Sequence, residues 1–270
     1  MSRGIWLASV GATVVLVATI GLFGARDGSP APMPQTVRLD AATLSYRPAG
    51  EFRQGTRVID APVEIIPAPA MDVMKHQVSE ADYARCVADR ACPDAPSADR
   101  ADLPQTSINF DDATAYALWL SRQTGVDWRL PTDAEWLRVA GNRAFDDSFA
   151  EDANGADPSR RWIAAYRREV ERRGAADLAQ HPMGHFGIND MGVADIAGNV
   201  WEWTQTCFQN GTVTPDGSVI ATRAEYCGVR AVQGKHRGFV ITFVRDARSG
   251  GCAAGVPPDY LGFRLVRSVS

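Results

Sequence analysis

The chain has 270 residues, 45% of them hydrophobic and 22% charged, with a formal net charge of −4 at pH 7. So mild a balance gives no electrostatic reason to expect nucleic acid as a partner. With an N-terminal segment set aside, roughly 230 residues remain, enough for one large domain with a substantial core.

Residues Ile5 to Phe23 carry no charge, and Arg3 is the only charged side chain before them. About 20 apolar residues cover the hydrocarbon core of a bilayer, so residues 1–26 are expected to be an uncleaved transmembrane anchor. The competing reading is a cleaved signal peptide, whose apolar region is usually shorter and ends in small residues; Phe23, two before Ala25, matches that poorly. With Arg3 inside, the positive-inside rule puts the remainder outside the cytoplasm, facing the periplasm from the inner membrane, or secreted if the segment is cleaved. Residues 27–42, with Gly28, Ser29, Pro30, Pro32 and Pro34, read as a semi-rigid linker, and the domain is expected over 43–270.

Five cysteines in such a compartment are read first as disulfides. Cys86 and Cys92 are close enough for a small clip after a helix, and Cys207 and Cys227 bracket a polar loop. Cys252 is then left without an intrachain partner.

Ser79 with Asp82 predicts a helix running to about Val87. A second is predicted over Asp111–Gln123, with Ala113, Tyr116, Ala117 and Leu120 on one face and Gly125 past its end. Thr132 and Glu135 form a capping-box pair for a third, with Trp136 and Val139 inward and Gly141 closing it. Asp157 and Pro158 open a fourth, amphipathic stretch that places Trp162, Tyr166 and Val170 on one face and ends at Gly174. Its polar side carries Arg160, Arg161, Arg167, Arg168, Arg172 and Arg173 against Glu169 and Glu171. That is either a solvated face with local ion pairs or a docking surface for an acidic partner or lipid head groups. Phe239 to Val244 and Phe263 to Val266 read as short strands and loops. His181 and His185 flank a Pro-Met-Gly run that argues against a shared helix face, so they read as loop histidines.

The most unusual run is Asp195-Ile196-Ala197-Gly198-Asn199-Val200-Trp201-Glu202-Trp203. Gly198-Asn199 reads as a tight turn, across which Asp195 and Glu202 can face each other. Two carboxylates with turn carbonyls suit a hard cation, Ca2+ before Mg2+. The plainer reading is a hydrogen-bonded turn with Trp201 and Trp203 in the core.

That run, together with Gly50-Glu51-Phe52-Arg53-Gln54-Gly55, Val78-Ser79-Glu80-Ala81-Asp82-Tyr83, Leu130-Pro131-Thr132-Asp133-Ala134-Glu135-Trp136 and Leu261-Gly262-Phe263-Arg264, resembles the formylglycine-generating-enzyme, or sulfatase-modifying-factor, family over roughly residues 43 to 268. The resemblance implies an α+β, C-type-lectin-like fold, low in regular secondary structure. It also implies a structural Ca2+ held by the side chains of Asp195 and Glu202 and the carbonyls of Gly198 and Val200. Oxidase members use two cysteines separated by four residues to bind copper and convert a substrate cysteine to formylglycine. Counted back from Ala247-Arg248-Ser249, those positions are Lys235 and Val240, which bind no copper. Cys252, alone or with His236, is a weak catalytic or soft-metal candidate, since a lone cysteine is more often a small buried hydrophobe. No Gly-x-Ser-x-Gly elbow or phosphate-cradling glycine loop is present.

The expected function is therefore that of a non-oxidase accessory or maturation factor for an exported client protein. Family members of this kind accompany periplasmic copper and nitrogen-oxide reductases of denitrifiers, including as nitrite-reductase accessory proteins. The alternatives are a divergent oxidase acting on a protein cysteine, and a sugar- or peptide-binding lectin-like module.

Overall fold

The computed structural model describes residues 31–145, 163, 167, 170, 179–242 and 257–269. Along the chain run β1 (Thr36–Leu39), β2 (Ala42–Tyr46), β3 (Gly50–Gln54), β4 (Arg57–Ile59), β5 (Glu64–Ala68), β6 (Met71–Met74), α1 (Glu80–Ala88), α2 (Phe110–Thr124), α3 (Asp133–Ala140), β7 (Trp201–Val213), β8 (Ile220–Gln233), β9 (Arg237–Ile241), β10 (Leu261–Gly262) and β11 (Val266–Ser268). The result is a mixed, sheet-dominated fold with few helices.

The helices end where local chemistry dictates. Ser79 accepts from the Asp82 amide at 3.1 Å to start α1. In α2 the N-cap is Asn109, which forms a reciprocal capping box with Asp112, and Gly125 stops the helix in the left-handed region. Thr132 and Glu135 cap α3 in the same way, and Trp136 and Val139 are buried as their spacing requires. Of the Asp157–Gly174 stretch, only Ile163, Arg167 and Val170 are described, and all three are helical. Val170, expected on an inner face, is 50% exposed. The rest of that stretch lies outside the described residues, as do the N-terminal apolar segment, Ala247-Arg248-Ser249 and Cys252. Among the described residues, no helix is long and apolar enough to cross a membrane.

The largest sheet is ordered β4-β3-β7-β8-β9, with β10 lying parallel to the start of β7; a second is β1-β6-β11, and β2 pairs with β5 in a third. Folding starts earlier than the expected linker boundary at residue 42. β1 pairs antiparallel with β6, Thr36 opposite Met74, and Ala31 packs on the main core. Alternating side chains along β1 and the pull of apolar surface away from water recruit this stretch into the sheet despite its preceding prolines. The main core joins α1 and α2 to Trp128, Trp203, Leu261, Phe263 and Leu265. Both short-range disulfides are present, Cys86 with Cys92 and Cys207 with Cys227.

Candidate functional site: a buried ion pair and the hairpin beside it

The acidic turn is more strained than its glycine implies. Asp195, Ala197 and Asn199 all take the left-handed region, with φ of 56°, 58° and 56°. Gly198 is not among the residues at positive φ, contrary to the expectation that it supplies the turn's left-handed torsion. What it supplies is space, because a Cβ there would lie 3.0 Å from the Phe186 ring. Left-handed Asp and Asn are tolerated, whereas Ala at such a torsion costs on the order of 1 kcal/mol and persists only where surrounding contacts compel it.

Such contacts surround the turn. Asp195 is fully buried, and its carboxylate accepts the backbone N–H groups of Gly184 at 2.5 Å and Phe186 at 2.8 Å. Asn199 pairs with both backbone groups of His181, at 3.0 and 2.8 Å. His181 and His185 stack face to face with centroids 4.0 Å apart, so their in-plane lone pairs run side by side rather than converging on one ion.

Glu202 lies at the centre of the fold. Arg264, from Leu261-Gly262-Phe263-Arg264, donates to its Oε2 through Nε at 2.6 Å and to Oε1 through Nη2 at 2.7 Å, and neither side chain is exposed at all. Trp136, the last residue of the Leu130-to-Trp136 motif, donates to Oε2 at 2.8 Å, and Gln77, just before Val78-to-Tyr83, donates to Oε1 at 2.9 Å. The rest of the guanidinium is satisfied by the carbonyls of Met74, Lys75 and Ala194. Four of the stretches that carry the family resemblance thus contribute to, or border, a single buried ion pair. This partnership was missed in the sequence; the available signal was an arginine between Phe263 and Leu265, since a charge in an apolar strand requires an acceptor.

The fit of a Ca2+ can be judged from those bonds. A carboxylate has about four lone-pair sites, and on Glu202 all four face N–H donors. The Val200 carbonyl also faces the Gln77 amide, at 3.4 Å. The turn does bring Asp195, Gly198, Val200 and Glu202 into one segment. As its side chains stand, however, the set does not fit Ca2+, because a cation at Glu202 would have to displace a buried guanidinium. We therefore expect the melting temperature of the full chain to be the same in Ca2+ and in chelator. A calcium-dependent rise that disappears in Asp195→Ala would show that the ion, rather than Arg264, holds the turn.

A second buried acid sits close by. Asp133, at the first position of α3, accepts from Tyr46 Oη at 2.9 Å and from Gln233 Nε2 at 2.5 Å, and pairs with Arg237 Nη2 at 2.8 Å. Burial, reinforced by Asp133, pushes the Tyr46 hydroxyl far above its ordinary pKa. The network ties α3 and β2 to the β8–β9 hairpin.

That hairpin carries Lys235 and Val240, the two positions reached by counting back from Ala247-Arg248-Ser249. Lys235 is exposed in its turn, while Val240 is partly buried against the main core. The hairpin closes on Trp201: Cβ atoms added at Gly234 or Gly238 would meet the indole at 2.8 and 2.6 Å. His236 packs edge-on against the same ring, with centroids 4.6 Å apart. Among the described residues, Cys207, Glu225 and Cys227 form the one cluster of three ligand-type side chains, and its two sulfurs are already bonded to each other.

Residues 29–269 match the domain family described as sulfatase-modifying factor enzyme 1-like. The formylglycine-generating enzyme of Mycobacterium tuberculosis is 37% identical over 121 residues, covering 43% of this chain and 37% of the relative. That of Thermomonospora curvata is 31% identical over 147 residues, covering 50% and 46%. The inactive C-alpha-formylglycine-generating enzyme 2 of Mus musculus is 29% identical over 115 residues, covering 41% and 34%. The chain thus aligns with less than half the length of these relatives. Among solved structures, PvdO from Pseudomonas aeruginosa has a TM-score of 0.55 at 20% identity over 90% of this chain and 100% of that one. CarF has a TM-score of 0.51 at 16% identity over 88% and 99%. At these identities the likeness is one of fold.

Proposed function

Because the chain belongs to the sulfatase-modifying factor enzyme 1-like family, we propose that it works by binding, as an accessory or maturation factor for an exported client protein. What supports this reading is the β8–β9 hairpin, where Lys235 and Val240 occupy the two positions that the family resemblance assigns to the copper-binding cysteines. An ammonium and an isopropyl group supply no soft ligand and no thiol for a mixed disulfide. The fold around them is kept, with the Glu202–Arg264 pair and the Asp133 network holding the hairpin in place, which suits a surface used for recognition.

Two disulfides support placement outside the cytoplasm. In this reading Ile5–Phe23 anchors the domain to the inner membrane, and the client is a periplasmic enzyme, with copper or nitrogen-oxide enzymes the class that the family resemblance favours.

The test is chemical. The full chain in detergent, loaded with copper and given a sulfatase-type cysteine peptide, should produce no formylglycine aldehyde by mass spectrometry. Copper-dependent aldehyde that is lost in Cys252→Ser would replace this reading with that of a divergent oxidase.

A further inference from the structure

We propose that the Cys207–Cys227 disulfide is a thiol–disulfide exchange site that oxidises an accessible cysteine pair on a partner polypeptide. The inference goes beyond the binding role and stands without it.

The disulfide joins β7 to β8 where their register breaks. Cys207 pairs with Arg230 while Phe208 pairs with Tyr226, so residues 227–229 bulge away from β7, with Val229 still paired to Ile241 of β9. Bulges re-aim side chains and are common beside functional sites. Here the bulge makes the two sulfurs unequal. Cys207 is buried and Cys227 is exposed, and a Cβ added at the adjacent Gly228 would meet nothing within 4 Å, so a thiol can approach Cys227 from solvent. In the other disulfide both Cys86 and Cys92 are buried.

Arg230 makes the asymmetry chemical. Its Nη1 lies 3.0 Å from Cys207 Sγ and also donates to the Gln205 carbonyl at 2.5 Å. The guanidinium sits over the Phe110 ring at 4.1 Å, its Nε is buried without a hydrogen-bond partner, and among the described residues it forms no ion pair. Burial lowers its pKa, opposed by the charges of Asp111 and Glu225. A disulfide sulfur is a weak acceptor and leaves this cation poorly compensated, whereas a thiolate at Cys207 would compensate it directly. Glu225 is the opposing charge, with its carboxylate within 4.8 Å of both sulfurs. It is exposed and already accepts from Gln209 at 3.1 Å, so solvent screens it more than the half-buried guanidinium in contact with Cys207.

The step balances within the two polypeptides. A partner thiolate attacks Cys227 Sγ, the Cys207–Cys227 bond breaks, and its electron pair goes to Cys207 Sγ as a thiolate beside Arg230. The partner's second thiolate then attacks its own sulfur in the mixed disulfide and releases Cys227. One partner dithiol becomes a disulfide, and one disulfide of this chain becomes a dithiol. Low basicity in the leaving sulfur favours attack at Cys227 over attack at Cys207.

The oxidised full chain in detergent is mixed with a two-cysteine peptide at pH 7, quenched with N-ethylmaleimide and mapped without reduction. Expected are the peptide bound to Cys227, the alkylating label on Cys207, an intact Cys86–Cys92 bond, and one peptide disulfide formed per chain at completion. In the reduced chain, alkylation of Cys207 should follow a thiolate that forms below the ordinary cysteine pKa of about 8.5. Arg230→Gln should return it toward that value and slow exchange several-fold, because a leaving thiol of higher pKa departs more slowly, and Arg230→Lys should restore part of the loss. Attack at Cys207, reduction of both disulfides at the same thiol concentration, or ordinary titration of Cys207 in the unmutated chain would each overturn the proposal, the last of these without any variant having to fold.

Discussion

Replacing Arg264 with methionine should cost the fold about 3–5 kcal/mol, because it leaves the Glu202 carboxylate charged and unexposed with no counter-ion. For a domain of this size that corresponds to a fall of roughly 6 to 20 °C in melting temperature, a large part of a typical total stability of about 5–15 kcal/mol. Adding Glu202→Gln should recover part of the loss. The neutral amide removes the stranded charge, and its oxygen can still accept from Trp136 or Gln77. Recovery in the double variant separates the effect of charge from lost packing, since a cavity left by Arg264 would be the same in both proteins. A single variant that melts within a degree of the parent would mean the pair is not formed as described.

Asp133→Ala should produce a loss of similar size, about 3–5 kcal/mol, through a different set of partners. Arg237 is only 15% exposed and would lose its counter-ion, while Tyr46 and Gln233 would lose their acceptor. Damage should concentrate in the hairpin, so amide exchange at Arg237–Ile241 should accelerate more than exchange in α2. Asp133→Asn keeps one acceptor oxygen and should cost less. Equal exchange rates across the hairpin in parent and Asp133→Ala would show that β8–β9 holds its place without this acid. The hairpin presents Lys235 in its turn and closes on Trp201.

The two networks bring residues of several separate motif stretches together in space. Glu202, Trp136, Gln77 and Arg264 form one buried polar assembly in which the carboxylate and the guanidinium are fully engaged and Gln77 Oε1 is left buried without a hydrogen-bond partner.

The caps were legible in the chain because each depends on residues within one helical turn. Ser79 with Asp82, and Thr132 with Glu135, satisfy amides three residues away, and Gly125 stops α2 where a left-handed torsion is needed. The disulfide pairs were legible for a related reason, since few cysteines at short spacing leave few partners. The start of the domain was not. Whether Thr36–Leu39 joins a sheet depends on β6, a strand some thirty residues further on, and the prolines before it argue only about local stiffness.

The acidic turn marks the division most clearly. Composition and spacing alone determined that Asp195 and Glu202 share a short segment with Gly198, and that two nearby carboxylates need something positive or hydrogen-donating beside them. Only the tertiary structure decided what that is. The donors for Asp195 come from the backbone of residues 184 and 186, while those for Glu202 come from Gln77, Trp136 and Arg264, separated from it by 125, 66 and 62 positions. A cation and a guanidinium answer the same charge, and local sequence cannot distinguish them. The choice belongs to whichever group the folded core brings within about 3 Å in a medium where an unpaired charge is too costly to keep.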